Sequence, residues 1–268
     1  MKIGFMQGRL VDSEKKNAIQ FFPAKKWKVE INIMNSINFK IMEWTINSEN
    51  MNQNHLFNYS KNRELKFFLK NKKIKIPSVT CDFFMQEPFY KNKKFIKTLR
   101  NLKKVIKCSK NIGVKYIILP LVDFSSIENV SQEKFLIREI KKFTQYLGPN
   151  QKILFETDYP PNKIITFIKQ LNSKFGINYD TGNSAGKGYN LRDEKKYFKF
   201  VKNIHLKDKK FKGKSVQLGK GDFNFKNFFK YLKNINYKGD FAFQTARSKN
   251  NDHVNEHKLN YEFIKNYV

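Results

Sequence analysis

The strongest constraint on this chain is a repeat of pattern rather than of residues. Eight short apolar runs recur at intervals of roughly 25–40 residues, with amphipathic stretches between them. The runs are Lys2–Met6, Phe39–Trp44, Ile76–Cys81, Tyr116–Pro120, Lys152–Glu156, Gly176–Asp180, Asn203–Lys207 and Asp240–Gln244, all rich in Ile, Val, Phe and Tyr. In Phe95–Ile112 the residues Phe95, Leu102, Val105, Ile106 and Ile112 share one helical face, with Lys opposite. Gln132–Leu147, Asn162–Leu171, Phe225–Ile235 and Asp252–Tyr267 read as helices in the same way. Eight strand–helix units in 268 residues is the α/β pattern of a single (β/α)8 TIM barrel. A doubly wound sheet is the alternative, but Gly8-Arg9 follows the first strand without a G-x-G-x-x-G turn. No Pro-, Gly- or Ser-rich linker divides the chain, so residues 1–268 read as one domain.

Composition narrows the setting. Hydrophobic residues at 40% can fill a sizeable core, which excludes a largely disordered chain despite a net charge of +30. The charge invites a nucleic-acid reading, but the kind of base argues against one. Only Arg9, Arg63, Arg100, Arg138, Arg192 and Arg247 are arginines, and the lysines are spread along the whole chain. Bidentate recognition of phosphate and guanine favours arginine, so lysines on solvated helix faces are the simpler account. No specific nucleic-acid partner and no membrane partner is expected. No run of about 18 apolar residues suggests a transmembrane helix. MKIGFMQGRL lacks the apolar centre of a secretory signal and reads as the first strand. Cys81 and Cys108 make no disulfide framework, which suits a reducing, cytoplasmic setting.

In a barrel of this kind the site lies at the C-terminal ends of the strands. Those ends carry Gln7 and Arg9 (first), Glu43 with Trp44 (second), Cys81-Asp82 (third), Glu156 (fifth), Asp180 (sixth), His205 and Lys207 (seventh), and Gln244 followed by Arg247 (eighth). Glu156, Asp180 and His205 are 24 and 25 residues apart, one strand–helix unit each, so they converge on one side of the mouth. Two carboxylates and an imidazole suit one divalent cation, Mn²⁺, Mg²⁺, Co²⁺ or Zn²⁺; a metal-free hydrogen-bonded cluster is the competing reading. Gln7 and Arg9 are candidates for substrate hydroxyls or a phosphate, Trp44 for a stacking face, and Arg9, Lys207 or Arg247 for an anionic group. Gly182, Gly186 and Gly188 imply a backbone that something approaches closely. Gly219-Lys220-Gly221 could offer N–H groups to a phosphate, although it is not a P-loop. His55, His253 and His257 read as surface or late-loop residues.

MKIGFMQGRL, ILFETD, INYDTGN, NIHLKD and LGKGDFNF together resemble the xylose isomerase-like TIM barrels, the sugar and sugar-phosphate isomerases and epimerases that also include endonuclease IV. The resemblance covers nearly the whole chain. It implies a cation held by acids and a histidine at the ends of strands five to eight, here Glu156, Asp180, His205 and Gln244, where the family pattern has Glu in the fourth place. It also implies proton transfer beside a carbonyl by the acids of strands five and eight. Gln244 can offer a metal its carbonyl oxygen but cannot act as a base, so Glu156 is the expected base and Lys207 the expected proton shuttle or oxygen-polarising group. Asn183 stands where epimerases of the family often have His, and is carried as a substrate-binding candidate beside Gln7, Arg9, Glu43, Trp44 and Arg247. The expected activity is a metal-dependent isomerase or epimerase acting on a sugar or sugar phosphate; a homo-oligomer is compatible with it. The alternatives are a barrel that binds a sugar or partner without turnover, and a related dehydratase or lyase. A nuclease like endonuclease IV needs many His ligands, and the chain has four His.

Overall fold

In the computed structural model, residues 2–13, 20–248 and 250–268 are described. Eight parallel strands close into a barrel: β1 (Ile3–Met6), β2 (Ile41–Ile46), β3 (Lys75–Cys81), β4 (Tyr116–Leu121), β5 (Lys152–Thr157), β6 (Phe175–Asp180), β7 (Val201–Leu206) and β8 (Asp240–Phe243). The order round the barrel is sequential, and β1 pairs with β8 to close it. Helices α1 (Trp27–Ser36), α2 (Tyr59–Lys72), α3 (Lys97–Ile112), α4 (Val130–Lys141), α5 (Pro161–Lys169), α6 (Thr181–Lys187), α7 (Phe225–Asn234) and α8 (His253–Lys265) alternate with the strands. The (β/α)8 expectation is borne out. Among the described residues, no helix is long and apolar enough to cross a membrane.

The eight strands lie where the apolar runs stand, with one shift that matters. The second run was expected to end at Trp44, but β2 continues through Thr45 to Ile46, and its Glu43 pairs in register with Met6 and Ser78. Glu43 therefore lies inside the barrel rather than on its rim. Side chains alternate along a strand, so inward Glu43 makes Trp44 point outward. There Trp44 is fully buried against Phe22 and Trp27, and its Nε1–H donates to Asn54 Oδ1 at 2.8 Å. Trp44 is thus a core residue and offers no stacking face at the mouth. Trp27 is buried in the same core.

Between strands and helices the core is strongly aromatic. Phe155 meets Phe167 at 5.1 Å, and Tyr179 stacks on Phe228 at 5.2 Å. Edge-to-face and offset pairs of this kind add to the burial energy of the rings. His55, His253 and His257 are buried rather than superficial. His257 lies 5.1 Å from Phe5, and burial with the nearby charge of Arg9 pushes its pKa down to about 3, so it is neutral.

Behind β7 the chain forms a small hairpin, Asp208–Lys209 against Ser215–Val216. The Asp208 carboxylate is enclosed there: Oδ2 accepts from the N–H groups of Gly219 (3.0 Å) and Gly221 (2.9 Å), and Oδ1 from Phe223 (3.2 Å). The two N–H groups that might have bound a phosphate at Gly219-Lys220-Gly221 are occupied by this internal anion. A Cβ at Gly221 would lie 2.0 Å from Asp208 Oδ1. Gly221→Ala is therefore expected to cost about 1–3 kcal/mol through overpacking. Thermal denaturation followed by circular dichroism should show a fall of several degrees in Tm, whereas an unchanged Tm would mean that the enclosure is not tight.

Candidate active site

The inner wall of the upper barrel is polar. Glu43 (β2), Ser78 and Thr80 (β3), Asn178 (β6), and Asn203 and His205 (β7) are all buried. Glu43, 1% exposed, accepts from Ser78 Oγ and Thr80 Oγ1, both at 2.7 Å, and from Asn203 Nδ2 at 3.1 Å. Its Oε1 lies 2.7 Å from His205 Nε2. Burial opposes ionisation of Glu43, but His205 and the hydroxyl donors hold its carboxyl below the usual range. With Nε2–H donating to Glu43, the His205 Nδ1 faces the other way, toward β5 and β6. Glu43 thus positions the imidazole from within the barrel; it is not at the mouth where substrate binding was expected.

Nδ1 of His205 lies 3.0 Å from Glu156 Oε2 and 4.0 Å from Asp180 Oδ2. One donor atom from each of Glu156, Asp180 and His205 falls within 4.8 Å of the other two, and all three residues are buried. Asn178 Nδ2 reaches both Glu156 Oε2 (3.1 Å) and His205 Nδ1 (3.0 Å), and Asn203 Nδ2 in turn donates to Asn178 Oδ1 at 2.8 Å. Asn183 opens α6: its N–H donates to Asp180 Oδ1 at 2.8 Å and its Nδ2 lies 3.3 Å from Glu156 Oε1. The spacing of 24 and 25 residues has brought the three acid and imidazole groups together.

The three groups shift one another's proton affinity. Burial raises Asp180, partly offset by Lys207, and the neighbouring Glu156 raises it further. Glu156 itself stays below the usual range: burial works against ionisation, but His205 and Lys207 outweigh it. Burial alone would depress His205, yet Glu43 and Glu156 lift its pKa well above the ordinary value. The buried Oδ2 of Asp180 has no hydrogen-bond partner among the described residues. An unpartnered buried carboxylate oxygen is costly. Two carboxylates and a correctly turned imidazole around one orphaned oxygen fit a divalent cation.

Lys207 and Gln244 lie beside this cluster. The stem of Lys207 passes over Gly182, where a Cβ would come within 2.6 Å of Lys207 Cγ. Gly186 and Gly188 likewise meet Lys209 and Phe211, so the glycine-containing loop makes room for the segment leaving β7. Lys207 Nζ lies 3.4 Å from Gln244 Oε1, and Gln244 Nε2 lies 3.2 Å from Gln20 Oε1. The orientation of the Gln244 amide is set by these two neighbours.

At the first strand end, Gln7 is fully buried; its Oε1 accepts from Thr45 N–H at 3.3 Å, and its Nε2 donor has no hydrogen-bond partner among the described residues. Arg9 is also buried, and burial together with Arg247 lowers its pKa to about 10. Arg247 is a loop clamp: its guanidinium donates to Gly8 O, to Val11 O at 2.5 Å, lies 2.9 Å from His253 Nε2, and covers the Phe21 ring. It joins the loops after β8 and β1, so its groups are not turned to an anionic ligand as the sequence suggested.

Two buried acids were given no role in the reading of the sequence. Glu30 sits on the buried face of α1 with Trp27, Ile31 and Met34. Its carboxylate accepts from Gly8 N–H (2.8 and 3.0 Å) and Leu10 N–H (3.0 Å), fixing the turn after β1. An acid at i+3 on an otherwise apolar face was the available signal. Asp82, at the end of β3, had the same strand-end signal as Glu156; both its oxygens approach Gln20 Nε2, at 2.7 and 2.6 Å.

Comparison with known proteins agrees with this fold. The chain belongs to the xylose isomerase-like TIM barrel family, whose family model matches residues 31–267. It is 23% identical over 246 residues, 84% of this chain and 86% of the relative, to a Haemophilus influenzae protein named "Putative L-ribulose-5-phosphate 3-epimerase SgbU". D-allulose 3-epimerase from Methylomonas sp., solved in complex with D-allulose, superposes with a TM-score of 0.77 at 12% identity, over 100% of this chain and 97% of that one. A xylose isomerase-like TIM barrel protein from Mycobacterium smegmatis, solved in complex with magnesium, superposes with a TM-score of 0.74 at 14% identity, over 100% and 98% of the two chains.

Outer partners of a metal ligand typically contribute 10–100-fold to affinity. Replacing Glu43 by Gln should therefore weaken Mn²⁺ binding by roughly that factor in titration calorimetry, with the circular dichroism spectrum unchanged. Wild-type affinity in the variant would show that Glu43 does not orient His205.

Proposed function

We propose that this protein is a divalent-metal-dependent isomerase or epimerase of a sugar or sugar phosphate, a cytoplasmic enzyme whose partner is its small-molecule substrate. The observation that carries the reading is the convergence of Glu156, Asp180 and His205 around the unpartnered Asp180 Oδ2. The epimerase names among its relatives support the substrate class.

Glu156, Asp180 and the Nδ1 of His205 would hold the cation, with the carbonyl oxygen of Gln244 as a weaker fourth ligand. The donor set, two carboxylate oxygens and one imidazole, accommodates Mn²⁺, Mg²⁺, Co²⁺ or Zn²⁺. When bound, the cation polarises the carbonyl and hydroxyl oxygens of the sugar. Glu156, kept ionised by Lys207 and His205, takes the proton from the carbon next to the carbonyl. Asn183 holds the other oxygen of that carboxylate in place. Lys207 donates to a substrate oxygen or a phosphate, and Gln7 offers its unpartnered Nε2–H to a hydroxyl. Arg9 supplies buried positive charge behind the site.

Gln244 favours one competing reading, a barrel that binds a sugar without turnover, because an amide accepts no proton near neutral pH. Assay of the Mn²⁺-loaded protein on ketoses, aldoses and their phosphates separates the two. Turnover is expected, and Glu156→Gln should lower it at least about 10²-fold. Gln244→Glu should tighten Mn²⁺ binding by adding a third carboxylate. Sugar binding without turnover would establish the competing reading, and full activity in Glu156→Gln would rule out Glu156 as the base.

A further inference from the structure

We propose that the N-terminal face of the barrel, the end opposite the ligand cluster, docks peripherally on an anionic lipid bilayer. The inference goes beyond the isomerase or epimerase reading and does not depend on it.

Lysines are spread along the whole sequence, but folding brings one to the entry of every strand. Lys75 and Lys152 are the first residues of β3 and β5. Lys2, Lys40, Lys115 and Lys174 immediately precede β1, β2, β4 and β6. Lys202 is second in β7, and Lys238 stands two residues before β8. Parallel strands begin at one end of the barrel, so these lysines ring that end. The connecting segments 37–40, 73–74, 113–115, 147–151, 170–174 and 235–239 contain no Asp or Glu. In the longer connection into β7, Glu194 is buried on Tyr179 and Asp193 pairs with Lys196. In the last turns of α4 and α8, Glu139 pairs with Lys142 and Glu262 with Lys265. Asp240 is the one acid at a strand entry.

Lysines in the last turns of α2, α3, α5 and α7 complement the negative helix ends and need no further partner. The strand-entry lysines lie outside the helices. Among the described residues none of them forms an ion pair. Some donate to neutral oxygens, Lys40 to Asn35 Oδ1, Lys152 to Ser173 O, Lys174 to Pro149 O and Lys202 to Lys199 O. Burial, then the charges of Lys202 and Lys174, lower the proton affinity of Lys152. An anion from outside relieves that crowding.

The same face decides the kind of anion. Ammonium groups attract phosphate as point charges, on a lipid headgroup and on a nucleic acid alike. Between β1, β2 and α8, however, the face has a depression of about 580 Å³, lined by Ile3, Ile37, Phe39 and Ile41. The exposed Lys2, Lys40, Lys258 and Lys265 stand around it, with Tyr261 38% and Val268 41% exposed. Ile235, at the foot of α7, is 43% exposed. Apolar groups among lysines match the boundary of acyl chains and anionic headgroups, where lysine stems stay in apolar surroundings and their ammonium groups reach phosphate. A nucleic-acid backbone would leave the apolar groups in water. The contact is peripheral, because among the described residues no helix is long and apolar enough to cross a membrane. It goes beyond the sequence-based expectation of no membrane partner. Docked in this way, the carboxylates at the far ends of the strands face away from the anionic surface, and the mouth stays open to substrate.

The test is co-sedimentation of the full chain with vesicles of phosphatidylcholine alone and of phosphatidylcholine mixed equally with phosphatidylglycerol. Wild type should bind only the mixed vesicles, and should release them between about 0.1 M and about 1 M salt, as the screening length falls from about 10 Å to about 3 Å. Lys2→Gln, Lys40→Gln, Lys258→Gln and Lys265→Gln combined should weaken binding at least about 10²-fold, at about fivefold per lysine near an anionic surface. Lys25→Gln, Lys26→Gln, Lys214→Gln and Lys226→Gln combined remove the same charge from the mouth end and should cost less than about tenfold. Ile235→Ser with Val268→Ser keeps the charge and should still weaken binding several-fold. Failure of the wild type to bind mixed vesicles overturns the proposal, and so does an equal loss in the two lysine variants, which would mark attraction by net charge alone. Random-sequence RNA is the second probe, followed by fluorescence anisotropy. If RNA binding is lost in the first lysine variant while the serine variant binds vesicles like wild type, the face belongs to nucleic acid and the bilayer assignment is wrong.

Discussion

The contact between Glu43 and His205 is the one on which the site depends. A carboxylate 1% exposed and an imidazole fully buried would each be costly to desolvate alone. At 2.7 Å they compensate each other, and Ser78, Thr80 and Asn203 occupy the remaining lone pairs of the acid. Because Glu43 takes Nε2–H, Nδ1 is presented to Glu156 and Asp180. Reversing the ring would leave a buried acceptor unpaired on one side and turn the wrong nitrogen to the carboxylates. The barrel interior therefore behaves as a polar jig that fixes one imidazole, and Glu156 and Asp180 gather around it.

The loops that frame the mouth are shaped by the same means, buried charge enclosed by backbone dipoles. Glu30 fixes the turn after β1, Asp208 gathers the segment after the hairpin, and Arg247 ties the β8 loop to the carbonyls of Gly8 and Val11. Each charge serves the scaffold and is withdrawn from substrate binding. That leaves Lys207, Gln7, Gln244, Asn183 and Asp82 as the groups around the ligand cluster with side-chain capacity to exchange. A chain with a charge of +30 thus has few cations turned to its own site, and many of its lysines lie on the outer helices instead.

Gln244 gives the mouth its particular character. Its amide lies between Lys207 and Gln20, and Gln20 continues to Asp82, so a line of neutral groups connects β7 to β3. Amides align neighbours without carrying protons. The end of β8 therefore carries an amide, while the ends of β3, β5 and β6 carry the carboxylates Asp82, Glu156 and Asp180.

The sequence by itself determined the barrel and the convergence of Glu156, Asp180 and His205. Alternating apolar runs and amphipathic helices admit few closed packings, and residues one strand–helix unit apart at strand ends must become neighbours. Only the tertiary structure decided the rest. Two further residues in β2 moved Glu43 into the barrel and Trp44 into the core, because strand ends are set by pairing with β1 and β3 rather than by local pattern. Arg247, Glu30 and Gly219-Lys220-Gly221 have residue types that suit a ligand as well as a loop. Which one each serves depends on contacts across the chain, Arg247 to Gly8 and Val11, Glu30 to Gly8 and Leu10, Asp208 to Gly219 and Gly221. A local sequence specifies what a side chain can donate or accept; folding chooses the partner, since a buried polar group is stable only where another chain segment meets it.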